Sequence, residues 1–360
     1  MIRCKQSGVR KPAIALFLAL FSIAQIRGEP TNLPPATIQG PLSLTQARQV
    51  AFERNWDLLA AAVGVEAATA QKIVAHEFPN PTLSLTTEKI SVDNNPSSTA
   101  GGNGYWDRSY DTIFAVNQLF EIGGKRSSRK ASSQAGFESA RATFFDAKRT
   151  LDLAVTKAYV AATQAEENAR VLMQSAGTLQ REATLAEIRL KAGEISDADK
   201  KQIEITAERF ELDARAATSA AAQARVALEV LLGLTQPKGE VVLSDSLENL
   251  STIAAPPDTN HLGIGRPDVV AAEAALRKAE ADLRLQKANR IPDPTALAQY
   301  EHEPPDQPNT VGFGVSFPLP LWNRNRGNII FAESAVSQAR LALQKIQAQA
   351  AADIATSRFA

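Results

Sequence analysis

After Gly123-Gly124-Lys125-Arg126 a helical pattern runs for over sixty residues without a proline, to Leu190, with Gly136 and Gly177 as its internal glycines. At about 1.5 Å per residue such a helix is a rod of roughly 90 Å, longer than a compact domain is wide. The rod breaks at Lys191-Ala-Gly-Glu-Ile-Ser196. There Gly193 supplies a C-cap, and Ser196 or Asp197 an N-cap for a return helix ending at Leu231-Leu-Gly-Leu234. A hairpin of this length reads as an antiparallel coiled coil. Its seam is full of alanine and other small residues, which lets the helices approach closely.

The order of elements around this hairpin is written twice. In the first pass, helical composition runs from Ser43 to about His76, with Ser43 or Thr45 as cap. It must stop at Phe78-Pro-Asn-Pro81, because two prolines cannot continue the ladder. Two alternating runs follow, Thr82 to Glu88 and Asp111 to Gln118, separated by a Gly/Asn/Ser-rich stretch from Asp93 to Gly104. They form a strand hairpin with a long loop. An irregular segment containing Pro237, Pro256 and Pro257 then precedes the second pass. There Asn55-Trp-Asp-Leu-Leu-Ala-Ala61 is matched by Arg266-Pro-Asp-Val-Val-Ala-Ala272, and Phe78-Pro-Asn-Pro81 by Ile291-Pro-Asp-Pro294. Ile113-Phe-Ala-Val-Asn117 is matched by Gly312-Phe-Gly-Val-Ser316, and Glu121-Ile-Gly-Gly-Lys-Arg126 falls where Pro320-Leu-Trp-Asn-Arg-Asn325 falls. The expected organisation is therefore a leader over 1–28, an extended segment over 29–42, a first repeat over 43–234, a linker over 235–265 and a second repeat over 266–360. After the strands the halves align at about 199 positions, which puts a second tip near residue 392 and a final helix near 430. On that spacing the second repeat is unfinished at Ala360, and the sequence reads as a truncated copy.

The leader fixes the compartment. Arg3, Lys5, Arg10 and Lys11 precede the apolar stretch Ala13 to Ala24, and polar, proline-containing sequence follows. This is the layout of a secretory signal peptide, cleaved between Ala24 and Glu29. The apolar run is shorter than the roughly 18 residues a membrane anchor needs. The single cysteine, Cys4, lies before the apolar run, whereas a lipoprotein cysteine follows it, so the mature chain lacks both thiol and lipid anchor. No later segment is expected to reach the length of a spanning helix. A membrane-embedded mature chain must then use β-strands.

In Val311-Gly-Phe-Gly-Val-Ser-Phe317 one face carries Val311, Phe313, Val315 and Phe317, while the other carries only Gly312, Gly314 and Ser316. Leu83 and Leu85, and Phe114 and Val116, repeat this alternation more weakly. Transmembrane barrel strands alternate in this way, and so does an ordinary half-buried sheet. Four strands cannot close a barrel, and edges inside lipid must be paired. A membrane reading therefore requires several chains.

Other chemistry is excluded or unsupported. With 39 basic and 39 acidic side chains the net charge is zero, against the basic excess of nucleic-acid binders. About sixty alanines inflate the hydrophobic share and bury little area each. His76, His261 and His302 are widely separated, so a Cys/His metal cage and a Ser/His/Asp set are both out of reach. Gly124-Lys125 lacks the glycine a phosphate loop needs five positions earlier, where Leu119 stands. Glu166 and Glu167 lie on a polar helix face. Met173 is the one methionine after the leader, so no methionine relay for soft copper(I) or silver(I) can be built, which points to harder divalent cargo.

Together the leader, the duplicated plan, the Pro-x-Pro breaks, Phe317-Pro-Leu-Pro-Leu-Trp-Asn-Arg-Asn-Arg-Gly327 and the tip Arg189-Leu-Lys-Ala-Gly-Glu-Ile-Ser196 resemble the TolC-type outer membrane efflux proteins. Asn117-Gln-Leu-Phe-Glu-Ile-Gly-Gly-Lys-Arg126 is most similar to the heavy-metal branch, the cobalt, zinc, cadmium and nickel exporters. The resemblance implies a mainly α fold with β: long antiparallel helical hairpins and four transmembrane strands per chain, contributing to a homotrimeric α/β barrel. It implies a non-enzymatic duct without cofactor, in the outer membrane and reaching into the periplasm. It further implies docking to a periplasmic membrane-fusion adaptor and to an inner-membrane pump of the resistance–nodulation–division type. Arg189, Gly193 and Ser196 match the position that meets the adaptor, although Gly193 and Ser196 serve equally as caps. Asp197 and Asp199 could ring the periplasmic mouth and favour cations, or simply complement a helix dipole. A duct for drugs or organic solutes, and a soluble periplasmic coiled-coil adaptor, are the alternatives. Adaptors carry one hairpin and no greasy alternating strands, so the duplication argues against the latter.

Overall fold

The computed structural model describes residues 40–88, 111–251, 265–303 and 307–357. The expected leader, most of the 29–42 segment, the Gly/Asn/Ser-rich loop and much of the 235–265 linker lie outside the described residues.

The helical stretch expected from Ser43 to His76 is two helices, α1 (Leu44–Arg54) and α2 (Trp56–His76). Asn55 breaks it with an extended backbone, and the 21 residues of α2 are long and apolar enough to cross a membrane, against the expectation that no segment after the leader is. The Asn55 side-chain oxygen accepts from the N–H groups of Asp57 and Leu58, and its amide donates 3.1 Å to the Leu231 carbonyl. A buried asparagine that caps one helix and holds the end of another outweighs the helical propensity around it. Ser43 caps α1 in a capping box with Gln46. Strands β1 (Thr82–Glu88) and β2 (Asp111–Leu119) follow, then α3 (Lys125–Lys191), 67 residues without interruption. α4 (Asp197–Leu231) returns along α3, and the short α5 (Leu247–Ser251) precedes α6 (Pro267–Ala288). β3 (Thr295–Glu303), β4 (Gln307–Ser316) and α7 (Arg326–Ser357) complete the chain order. β4 starts earlier than the sequence suggested and ends one residue before Phe317.

The helices pack in the order α2, α3, α6, α7, with α4 on α3, and the strands form one antiparallel sheet ordered β1-β2-β3-β4. The seams between helices are built from Ala135, Ala142, Ala169, Ala186, Ala207, Ala214, Ala221, Ala274 and Ala281, all buried. Alanine contributes little area per residue but admits close axes over a long contact. A larger core collects where α1 crosses α3 and α4: Leu44, Ala51, Leu58, Leu151, Val155, Tyr159, Leu228 and Leu232. Two polar groups organise it. The Tyr159 hydroxyl donates 2.7 Å to the Leu42 carbonyl, and burial pushes its pKa up. The Glu229 carboxylate accepts from the backbone N–H groups of Lys238, Gly239 and Val241 at 2.6, 2.7 and 3.0 Å, which fixes the loop after α4.

Candidate functional site

Three regions carry functional geometry: the sheet, the junction where strands meet helices, and the tip of the α3–α4 hairpin.

The register places the sheet's side chains on two unlike faces. Leu83 faces Val116, Leu85 faces Phe114, Phe114 faces Tyr300, Ala298 faces Phe313 and Ala296 faces Val315. Directly opposed residues share a face. All four strands therefore contribute to one apolar surface, and it is bare: Phe313 is 83% exposed and Leu83 76%. The opposite face carries Ser84, Thr86, Asn117 and Gln299. Gln299 lies across Gly312, where an added Cβ would come within 3.0 Å of its side chain. At the strand ends away from the helices, Asp111, Glu301 and Glu303 each place a carboxylate oxygen within 4.8 Å of the others. Sequence reading missed this gathering, because the three residues meet only through the β2–β3 register.

The junction joins both Pro-x-Pro breaks to the turn after β2. Gly123 and Gly124 have φ of 71° and 77°, and Gly123 is closely covered, since a Cβ would meet the Ile291 side chain at 2.8 Å. Left-handed backbone under another side chain requires glycine. The turn delivers Lys125 to the second break, where its Nζ donates 2.6 Å to the Ile291 carbonyl and pairs with Asp293 at 2.7 Å. The other Asp293 oxygen accepts from the Ile122 N–H at 2.9 Å. Toward the first break, the Arg126 guanidinium lies 3.8 Å over the Phe78 ring and donates to the His76 carbonyl. Arg129 donates to both oxygens of Glu121, at 2.5 and 2.9 Å, and to the Glu77 carbonyl. This partner holds the Glu121 carboxyl below its usual range and raises Arg129. The sequence marked the Pro-x-Pro motifs as helix ends and the Gly-Gly-Lys-Arg turn as part of a family resemblance; an acid between two prolines, and basic residues after Gly-Gly, were the signal of a charged staple. In the second repeat Asn325 takes the left-handed position, with φ of 57°, and donates 2.8 Å to the Gln286 carbonyl.

At the tip, Gly193 has φ of 78°. Its N–H meets the Leu190 carbonyl and the Glu194 N–H meets Arg189, both at 2.9 Å, closing α3 in a Schellman turn. Ser196 caps α4 in a capping box with Asp199. Asp199 accepts from the Ser196 hydroxyl at 2.7 Å, and Asp197 pairs with Lys201 at 2.8 Å; both carboxyls are held below the usual range by these bonds. Lys191 is engaged by Glu187 and Lys200 by Glu204. The exposed Arg189 guanidinium has no hydrogen-bond or ion-pair partner among the described residues. The structure thus brings Arg189, Gly193, Ser196, Asp197 and Asp199 together at one turn, far along α3 from the sheet.

A family model described as outer membrane efflux protein matches residues 47–234 and 262–360. The cobalt-zinc-cadmium resistance protein CzcC of Cupriavidus metallidurans is 27% identical over 332 residues, spanning 91% of this chain and 74% of that protein. The nickel-cobalt-cadmium resistance protein NccC of Alcaligenes xylosoxydans is 24% identical, over 97% and 75%. Among solved structures, CusC superposes with a TM-score of 0.68 at 18% identity, covering 91% of this chain and 80% of that one.

Proposed function

Because the chain belongs to the outer membrane efflux protein family, we propose that it is the outer membrane duct of a tripartite exporter of divalent heavy-metal cations and confers resistance to them. Cobalt, zinc, cadmium and nickel are the metals whose resistance its relatives are named for. The observation that carries the reading is the sheet: a bare apolar face spanning four strands, mounted on a helix of 67 residues. The apolar face meets lipid and the polar face lines water. Three copies supply twelve strands, and their hairpins extend the path into the periplasm. The duct itself performs no reaction; the inner-membrane pump supplies the energy.

The tip is the docking end. Arg189 carries an unspent charge, and Gly193 and Ser196 present backbone and a short side chain to a periplasmic adaptor. Asp197 and Asp199 add negative charge at the periplasmic mouth, and Asp111, Glu301 and Glu303 add it at the opposite end of the path. Both favour cations over anions.

The test is a deletion strain challenged with cobalt, nickel, zinc and cadmium. Loss of tolerance restored by the wild-type gene supports the reading. Unchanged tolerance to all four overturns the metal assignment and leaves a duct for organic solutes. Arg189→Glu, in a strain where outer membrane levels of the protein are unchanged, is expected to lose tolerance as the deletion does; retained tolerance removes the tip from the docking surface.

A further inference from the structure

The cations at the two junctions are engaged differently. After β2, Lys125 is held by Asp293 and the Ile291 carbonyl, Arg126 by the Phe78 ring and the His76 carbonyl, and Arg129 by Glu121. After β4 the cations lack such partners. Residues 283–292 and 317–332 together carry Arg284, Lys287, Arg290, Arg324 and Arg326 and no acidic side chain. Lys287 reaches Glu333 at 3.5 Å. The exposed Arg290, Arg324 and Arg326 have no hydrogen-bond or ion-pair partner among the described residues. Like charges gathered without an acid repel one another, and an anion joining them relieves that repulsion.

Between the second Pro-x-Pro break and the segment after β4 lies a cleft of about 400 Å³, with Arg290, Pro292, Leu319, Pro320, Trp322 and Asn323 among its lining. Its walls are fixed to each other. The Asn325 amide donates to the Gln286 carbonyl at 2.8 Å and to the Gln286 side-chain oxygen at 3.0 Å, which holds the turn against the end of α6. Arg324 lies in that turn, between Asn323 and Asn325. Beside the cations the cleft is apolar and open: Trp322 is 93% exposed and Leu319 64%. The apolar face of β4 leads into it, since Val311, Phe313, Val315 and then Phe317 alternate up to Pro318, and all four are exposed.

We propose that this cleft binds an anionic phospholipid, its headgroup phosphate held by Arg290 and by Arg324 on the adjoining turn, and its acyl chains laid along Leu319, Phe317 and the apolar face of β4. A soluble anion leaves the apolar wall in water, and an apolar partner leaves the arginines without a counter-charge. A phospholipid of net negative charge meets both demands at once. Guanidinium groups suit phosphate oxygens in geometry as well as charge, and tryptophan is enriched where hydrocarbon gives way to headgroups. Basic residues beside a membrane draw anionic lipids to them. The acidic gathering of Asp111, Glu301 and Glu303 lies at the other end of the sheet, so charge runs from negative to positive along the strands and selects the helix end for such a lipid. The first repeat has no equivalent cleft chemistry: Glu77 stands where Arg290 stands, and Gly123 where Arg324 stands. Each chain therefore carries one such site. The inference rests on the reading of the sheet as membrane-spanning and names the lipid class that its inner end selects.

The experiment uses the full chain with Trp56→Phe and Trp106→Phe, so that Trp322 is the one remaining tryptophan. The protein is purified from outer membranes and reconstituted in phosphatidylcholine vesicles. A small, equal share of the lipid is brominated in its acyl chains, as phosphatidylglycerol in one preparation and as phosphatidylcholine in the other. Bromine quenches a tryptophan that it touches. Brominated phosphatidylglycerol is expected to quench Trp322 at least about twofold more strongly, and Arg290→Gln with Arg324→Gln to abolish the preference. Equal quenching by the two lipids with both arginines in place overturns the inference, whether or not the double variant inserts. A preference that survives in the double variant overturns the site, and one erased by inorganic phosphate marks a site for a soluble anion instead. If neither lipid quenches Trp322 in inserted protein, the cleft is covered by protein; the inference is then wrong and the membrane reading stands. If the chain stays out of the vesicles and is recovered from cells in the soluble fraction, the membrane reading itself falls.

Discussion

Replacing Lys125 with methionine tests whether the junction is held by charge or by packing. The methionine fills much of the same volume, so the perturbation is chiefly electrostatic. It leaves the Asp293 carboxylate with only the Ile122 N–H, and it leaves the Ile291 carbonyl without its donor. The lysine side chain is 9% exposed and Asp293 18%, so water cannot freely replace what is lost. Removing one partner of a fully buried pair costs about 3–5 kcal/mol, and the residual exposure here brings the expected loss to about 2–4 kcal/mol. Asp293→Asn keeps an acceptor for Ile122 and should cost less, about 1–2 kcal/mol. The double variant should recover at least 1 kcal/mol of the summed single losses, as coupled neighbours do. Urea unfolding in detergent, followed by far-UV circular dichroism, measures all three at one pH. Tryptic cleavage in the segment after Gly124 reports local opening. If Lys125→Met unfolds within about 0.5 kcal/mol of wild type, the staple is incidental and the junction is held by Ile291 over Gly123.

Three further outcomes follow from named contacts. Glu121 has its pKa lowered by Arg129, so its contribution is complete above the ordinary glutamate value of about 4.5 and is lost as pH falls through the lower folded value. Stability measured from pH 6 down to pH 3 should therefore fall less steeply for Glu121→Gln than for wild type, and parallel curves would remove this pair from the acid response. Gly233→Ala puts a Cβ against the Arg54 carbonyl oxygen at φ 75°, and should cost about 3 kcal/mol or more in thermal and urea unfolding, whereas Gly64→Ala, which meets open space in a helix, should be neutral or slightly stabilising. Glu229→Gln can accept with only one side-chain oxygen where three N–H groups converge, so it should cost about 2–4 kcal/mol, with faster amide exchange at Gly239 and Val241 as the local readout.

The duplicated plan, the four strands and the hairpin tip were legible because each has a local cause. Prolines at 79, 81, 292 and 294 stop helices, Gly193 and Ser196 cap them, and period-2 alternation marks strands. The break at Asn55 was not legible. Its neighbours are good helix formers, and what overrides them is a hydrogen bond to Leu231, far along the chain. The same limit hid the staple: Lys125 and Asp293 are 166 and more residues from each other's turn in sequence, and only the β2–β3 pairing brings them together. Glu229 read as one more charge on a helix, although it is 2% exposed and organises a loop. Local patterns report what a segment can be, while long-range register decides which charges find each other.

The staple and the tip sit at opposite ends of one uninterrupted helix, and this makes α3 a lever arm. With 67 residues it is about 100 Å long, and its first turn, which the staple grips, is about 5.4 Å. A slip of about 0.3 Å across that first turn is a tilt of about 3°, and it carries Gly193 sideways by about 5 Å, a full helical turn. A displacement of a fraction of an ångström at the sheet end is thereby magnified at the far end to the size of a side chain.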